Sequence, residues 1–415
     1  MGSTKRKPGR KKPSSQNPIE VAVKTWFNSK TPTEQPQSRL DELVARAPKR
    51  WTSYEPMVLL PAGSFEADVW KEFLSDLSAE QEDALWAQIL AEISKKSGGL
   101  GARLTHLAIN EGIPAALHNA AESHNHHGDD SEHLGAPENI LRSPTGLRIL
   151  RGDFGPASAS GTAADFEGAF WVSTRQNGVF QTWAPRWTMF SRGNIKEKAR
   201  LLDFHKTGHP RDGLALEDAL AVDLYAGIGY FTFSYAKLGM RVLCWELNPW
   251  SVEGLCRGAK GNGWSVRVAK DEADLALPMK ELVSGGEQII VFLEDNRHAA
   301  RRIRELGESN ILHVNCGLLP SSEASWKDSW DIITRSRGEE RWLHLHENVG
   351  VADIEKRRKE IEQYFLDLDV DLDLGREGGC GRTARVEHAE LVKTFAPGVW
   401  HCVFDLYITR SSSIA

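Results

Sequence analysis

Two acids and two glycines stand where a nucleoside-bearing ligand would need them. Asp223 closes a short apolar run, Leu220-Ala221-Val222. Gly227 and Gly229 follow, and Glu246 comes 23 residues after Asp223 at the end of a second apolar run, Arg241–Trp245. Glycine lets a backbone turn sharply and approach a ligand that a Cβ would push away. An acid at the tip of the second strand is placed to accept both hydroxyls of a ribose. The third glycine of a dinucleotide fingerprint would fall at Thr232, so a pyrophosphate fits poorly. Asp223 would also repel phosphate. A ligand with a positive amino group suits that acid, and S-adenosylmethionine has one. Asp223 either meets that amino group or shapes the turn.

Such a set needs strand, turn, helix and strand in succession, which is half of a nucleotide-binding α/β sheet. The chain supplies more of the same. QIIVFLEDN (288–296), ILHVNCGLLP (311–320), RWLHLHENV (341–349), VDLDL (370–374) and GVWHCVFDLYIT (398–409) read as further strands, with helices at 195–204, about 250–261 and 352–365. Strands alternating with helices predict a seven-stranded, mostly parallel sheet. The segment 265–287 reads as an insertion. Upstream, residues 140–195 alternate like strands in LRILRGDFG, GAFWVSTRQNGVFQTWAP and WTMFS, and Asn177-Gly178 is a hairpin signal. Residues 19–139 look mainly helical, through Val21–Phe27, Leu40–Ala45 and Phe73–Ile93, with a loop or strand at 49–65 and a polar loop, SHNHHGDDSEH, at 123–133. Residues 1–18 carry six basic residues in the first twelve and read as a disordered tail, either an RNA-binding arm, a nuclear address or a solvated end. The expected division is therefore 1–18, 19–139, 140–195 and 196–415.

Forty per cent hydrophobic and 26 per cent charged residues belong to a soluble globular protein. The net charge of −6 neither requires nor excludes a nucleic-acid partner. Five scattered cysteines without a C-x-x-C pair favour a reducing compartment and argue against structural zinc. Neither a membrane span nor a signal core is read. The expectation is a cytoplasmic protein with no metal, its oligomeric state open.

PRWTMFSRGNIKEKARL (185–201), VDLYAGIGYFTFSYAKLG (222–239), CWELNPWSVEGL (244–255), LEDNR (293–297), NCGLLPSSEASW (315–326), HLHENV (344–349) and KTFAPGVWHCVFDL (393–406) together resemble the tRNA wybutosine-synthesising protein 2 family, relatives of the tRNA guanine-N1 methyltransferases. The resemblance implies a class I methyltransferase-like Rossmann fold with S-adenosylmethionine as co-substrate. It implies transfer of the 3-amino-3-carboxypropyl group to 4-demethylwyosine beside the anticodon of phenylalanine tRNA, with release of methylthioadenosine. The alternatives are a guanine-N1 methyltransferase and a non-catalytic tRNA-binding protein. Asn315–Pro320 resembles the N-P-P-Y loop of amino methyltransferases but departs from it, which weakens plain methyl transfer.

On this resemblance Glu246 takes the ribose, Asp295 and Asn296 the adenine edge, and Gly227 and Gly229 make room. Ser191 and Lys198, in and after MFSRGN, take the amino-acid arm, or Lys198 is a solvated helix position. Arg175 is a carboxylate or RNA contact, or an exposed strand charge. His344 and His346 share one face of their strand and either pack and hydrogen-bond near the acceptor or, with Asp223, are the candidates for proton removal. Trp326, Trp330 and Trp342 are either stacking surfaces for a base or core residues.

Overall fold

A computed structural model describes residues 16–30, 37–96, 104–110, 139–144, 146–158, 160–207, 215–307, 309–373 and 382–410. Most of the basic tail, and the histidine-rich loop at 123–133, lie outside the described residues. The chain forms two compact units, Met1–Glu138 with Pro144–Gly155, and Asn139–Ser143 with Pro156–Ala415.

The first unit holds α1 (Pro18–Lys30), α2 (Gln37–Arg46), β1 (Thr52–Tyr54), β2 (Met57–Pro61), α3 (Asp68–Ser75), α4 (Ala79–Lys96), β3 (His106–Asn110) and β4 (Arg148–Arg151). The strands form one mixed sheet in the order β1-β2-β3-β4. Trp26, Phe65, Trp70, Phe73 and Trp86 pack its core. Two expectations change here. The single helical stretch at 73–93 is two helices. LRIL, expected in a separate β-rich module, pairs instead with β3.

The second unit opens with α5 (Ala163–Gly168) and the hairpin β5 (Val172–Gln176) and β6 (Val179–Trp183). Its turn takes positive φ at Asn177 and Gly178, +52° and +73°, as a two-residue hairpin loop requires. WTMFS is not a strand; it runs through turns into α6 (Ile195–Asp203). There follow β7 (Leu220–Asp223), α7 (Thr232–Lys237), β8 (Arg241–Trp245), α8 (Pro249–Asn262), β9 (Val266–Ala269), α9 (Glu272–Ala276), α10 (Met279–Leu282), β10 (Ile289–Phe292), α11 (Ala299–Leu306), β11 (Ile311–Cys316), α12 (Trp326–Thr334), β12 (Arg341–Gly350), α13 (Ile354–Asp373), β13 (Arg382–Ala396) and β14 (Val399–Arg410).

Among the described residues the sheet has eight strands, ordered β13-β14-β12-β11-β7-β8-β10-β9. Neighbours are parallel from β9 to β12, and β14 runs antiparallel to both β12 and β13. The segment 265–287 contributes the edge strand β9 and two short helices. VDLDL does not form a strand: residues 370–373 finish α13, and Asp369 is turned inward to hold Arg382 at 2.8 Å. The strand in that part of the sheet is β13, which was not expected. One face of the sheet carries Val222, Leu243, Phe292, Leu343 and Phe404 against Trp326, Trp330 and Phe365. The other carries Ala221, Val242 and Cys244 against Phe231, Phe233 and Tyr235. After β7 the chain builds one half of the sheet through β8, then returns to build the other through β11. The β7 tip therefore lies at the switch point of the strand order, where open α/β sheets bind ligands.

Candidate functional site

Asp223 ends β7 and is 0% exposed. Its Oδ1 accepts from Tyr225 N at 3.3 Å and Asn315 Nδ2 at 3.0 Å, and its Oδ2 from Thr232 N at 3.1 Å and Thr232 Oγ1 at 2.8 Å. The carboxylate thus shapes the glycine turn, starts α7 and ties β7 to β11. With both oxygens engaged and no exposure, the geometry supports the turn-shaping role of Asp223 over a contact with the donor's amino group or proton removal, which corrects its place among the catalytic candidates. Burial pushes its carboxyl above the ordinary range against those hydrogen bonds.

The turn itself needs its glycines. Gly227 and Gly229 have φ of +55° and +88°, and a Cβ on Gly229 would lie 2.5 Å from the Phe233 ring. Gly227 N donates to Glu246 Oε2 at 2.8 Å, and Asn248 N to Glu246 Oε1 at 2.8 Å. Each carboxylate oxygen has two lone pairs, so Glu246 keeps acceptor capacity for two more donors. It sits partly exposed at the tip of β8. Asn248 caps α8 and donates to Leu141 O at 3.2 Å, while Arg142 donates to Leu319 O at 2.9 Å. The segment Asn139–Ser143 thereby bridges the β8 tip and the loop after β11.

Asn296 and Asp295 follow β10. Asn296 Nδ2 donates to Leu224 O at 2.8 Å, which fixes its amide beside the glycine turn. Asp295 accepts from Arg297 N at 2.9 Å and pairs with the Arg297 guanidinium, which holds its carboxyl below the ordinary value.

On the other side of the turn, the Tyr230 ring is the nearest neighbour of a Cβ placed on Gly227. Its hydroxyl donates to Met189 O and accepts from Ser191 N at 3.2 Å. Lys198 lies behind it, 5% exposed, with Nζ 5.1 Å from the Phe190 ring and 6.0 Å from that of Tyr230. Nζ donates to Gln176 Oε1 at 2.6 Å and Gln181 Oε1 at 2.8 Å. No carboxylate pairs with it among the described residues, and burial lowers its pKa to about 7. Gly227, Tyr230, Ser191 and Lys198 therefore form one contiguous group. Gln176 and Gln181, which flank the hairpin turn, were missed; only their place beside Asn177-Gly178 marked them in the sequence. Arg175 is exposed and its guanidinium sits over Phe180, 5.3 Å from the ring.

His344 is fully buried and both of its ring nitrogens are taken. Nδ1 meets Asp405 Oδ1 at 2.7 Å and Nε2 meets His313 Nδ1 at 2.9 Å. Asp405 is gripped by Arg200, whose guanidinium also holds Glu197 at 2.6 and 2.8 Å. Burial pushes Asp405 up, but His344 and Arg200 hold it below its ordinary value. His344 is thus a link that fastens α6 to the sheet, a correction to its candidacy as a base. His346 lies apart from it, with Nδ1 3.0 Å from His401 Nε2. Trp326, Trp330 and Trp342 are at most 2% exposed and are core, not stacking surfaces. No group of three or more metal-ligating side chains occurs among the described residues, and no described helix is long and apolar enough to cross a membrane.

The chain is 38% identical to tRNA wybutosine-synthesizing protein 2 of Schizosaccharomyces pombe, over 86% of this chain and 72% of that one. To the protein of the same name from Saccharomyces cerevisiae it is 33% identical, over 90% and 77%. No family model matches. Among solved structures, TYW2 of Pyrococcus horikoshii in complex with MeSAdo aligns with a TM-score of 0.53 at 16% identity, covering 94% of this chain and all of that one. Trm5b of Pyrococcus abyssi aligns with a TM-score of 0.50 at 13% identity, covering 89% and 78%. At these identities the two structures establish the shared fold.

Proposed function

The chain belongs to the tRNA wybutosine-synthesizing protein 2 family, and from that premise we propose that it is an S-adenosylmethionine-dependent transferase acting on tRNA. The group moved is 3-amino-3-carboxypropyl, the acceptor is 4-demethylwyosine beside the anticodon of phenylalanine tRNA, and the by-product is methylthioadenosine. One observation carries this reading: a ribose-ready acid and a buried ammonium without an acid stand on opposite sides of one glycine turn. Glu246 has lone pairs left for two hydroxyls. Lys198 Nζ meets only amide oxygens among the described residues, and a carboxylate on the donor would supply the missing acid. These residues fit the two ends of the donor.

Glu246 and the Gly227 backbone hold the ribose end, and Asn296 and Asp295 border the adenine. Lys198 draws the donor's carboxylate toward the hairpin, with Ser191 beside it. The acceptor enters past Asn315–Pro320. The new bond forms from the base to the arm's carbon that is bonded to sulfur, while that carbon's bond to sulfur breaks with its electron pair going to sulfur. The sulfonium becomes a neutral thioether and the alkylated base loses a proton. No activated side chain is required to make the donor reactive; fixing which carbon faces the base is the protein's task, and such positioning supplies much of the rate. We assign donor binding to residues 196–415 together with Ser191 and the hairpin of 172–183, and place the reaction in the cytoplasm.

Incubating the protein with S-adenosylmethionine and tRNA carrying the tricyclic base, followed by chromatography of the nucleosides, tests this. Methylthioadenosine is the expected by-product. S-adenosylhomocysteine in its place would turn the reading to methyl transfer, and an unconsumed donor to a binding protein.

A further inference from the structure

Three strands place a row of polar side chains beside the loop that admits the acceptor. Lys393 on β13 pairs in register with His401 on β14, and His401 with Asn348 on β12. Paired residues of an antiparallel ladder share a face, so the three side chains lie next to one another. The row is stitched to the acceptor loop, because Asn348 N donates to Pro320 O at 2.7 Å and Ser322 N to His346 O at 3.2 Å.

The row is also short of partners. Asn348 Nδ2 and Oδ1, His401 Nδ1 and His346 Nε2 are all shielded from solvent without a hydrogen bond. His346 and His401 are each 1% exposed and bond only to each other, at 3.0 Å. Whichever ring donates in that bond, one of the two open nitrogens is left as a donor and the other as an acceptor. Lys393 reaches only Ser191 Oγ, at 3.4 Å, and its stem passes over Gly193, where a Cβ would meet it at 2.4 Å. Buried polar atoms left unpaired are rare and destabilising. Four on three adjacent residues call for a polar ligand with both donors and acceptors. A phosphate alone only accepts; a nucleobase edge does both, and its phosphate would balance the lysine.

We propose that Asn348, His346, His401 and Lys393 form the recess that receives the acceptor nucleotide, the amide and imidazoles reading the base edge and the ammonium pairing with its phosphate. The inference rests on the reading of the chain as a tRNA transferase. It makes Asn348 and Lys393 specificity and docking residues in addition to those assigned above.

The test uses the full chain with tRNA carrying the tricyclic base, and two variants, Asn348→Ala and Lys393→Met. For Asn348→Ala, kcat/KM for tRNA falls about tenfold or more, because base contacts are lost. Its donor affinity by calorimetry stays put, and its thermal midpoint is unchanged or higher, because the free protein loses no hydrogen bond. For Lys393→Met, the dependence of tRNA affinity on salt becomes shallower by about one unit in the log–log slope. A lowered midpoint with unchanged activity per folded molecule would make Asn348 a structural amide and overturn the recess. A weakened donor with an unchanged salt slope would move Lys393 to the donor's carboxylate and overturn its phosphate role. Direct tRNA binding is measured in parallel. A parent protein that makes no product fails as a transferase, while the recess still stands or falls on these binding changes.

Discussion

If Lys198 meets the donor's carboxylate as proposed, affinity for S-adenosylmethionine should fall as pH rises above neutrality. Burial lowers this ammonium to about 7 in the free protein, where two amide oxygens and two rings surround it. A carboxylate arriving within about 4 Å raises it again. The bound pKa then exceeds the free one, so binding takes up a proton. Affinity is full below the free pKa and declines as pH climbs through it, about tenfold per unit until the bound pKa is reached. Half of the free lysine is charged at pH 7 and roughly one part in a hundred at pH 9, so affinity drops by about 50-fold, or ~2.3 kcal/mol. Calorimetric titration in steps of pH, in buffers of different ionisation enthalpy, reads both the affinity and the proton uptake. The donor's own amino group titrates near 8 as well. Comparison with Lys198→Met removes it, because that contribution is common to both proteins. The parent should lose affinity with pH more steeply than the variant and show the extra proton. Superimposable profiles would refute the lysine–carboxylate pair.

Glu246→Ala should weaken donor binding by about 1–3 kcal/mol through unpaired ribose hydroxyls, while tRNA affinity measured separately holds; an unchanged calorimetric constant contradicts the ribose assignment. Asp223→Ala strands the donors of Tyr225, Thr232 and Asn315 and should lower unfolding free energy by about 3–5 kcal/mol, read from a denaturant midpoint; a small change would mean the turn does not depend on this acid. Gly229→Ala places a Cβ against Phe233 at a positive φ and should cost about 1–3 kcal/mol in the same measurement. His344→Leu leaves His313 and Asp405 each short of a partner, so the thermal midpoint drops while donor affinity remains; loss of activity at full stability would restore His344 as a base.

The strand–turn–helix–strand around Gly227 was legible because apolar runs, glycines and terminal acids follow one another within a few residues. So was the Asn177-Gly178 hairpin, whose turn chemistry is local. What failed was long-range. VDLDL has a strand's alternation, yet residues 370–373 are the end of a helix whose Asp369 is fixed by Arg382. The strand β13 alternates too, but its ladder with β14 shifts register three times, which interrupts the period a reader counts. Asp223 looked like a ligand contact because of its position at a strand tip. Its four donors come from the turn, the helix start and a strand 92 residues away, and only the last of these is hidden from local reading. His344 looked free because its partners, His313 and Asp405, lie 31 and 61 residues distant.

The same long-range bonds explain why a lone ammonium persists at residue 198. Glu197 and Lys198 are adjacent on α6 and both buried, so an ion pair between them is the simplest local arrangement. Successive residues of a helix point about 100° apart, however, and do not face one another. Arg200, one turn on, takes Glu197 with two bonds and reaches Asp405 on β14, 205 residues later in the chain. His344 and His313 then continue the link across β12 and β11. The acid of α6 is thereby neutralised on the sheet side, and the lysine is left to the hairpin side with only amide oxygens. Leaving a buried cation without an acid is unfavourable for the free protein. The anchoring chain keeps α6 from rotating to relieve it. On the proposed function, that arrangement would keep an attraction in reserve for a carboxylate entering beside Tyr230 and so favour the donor's amino-acid arm, rather than its methyl group, as the part turned toward the base.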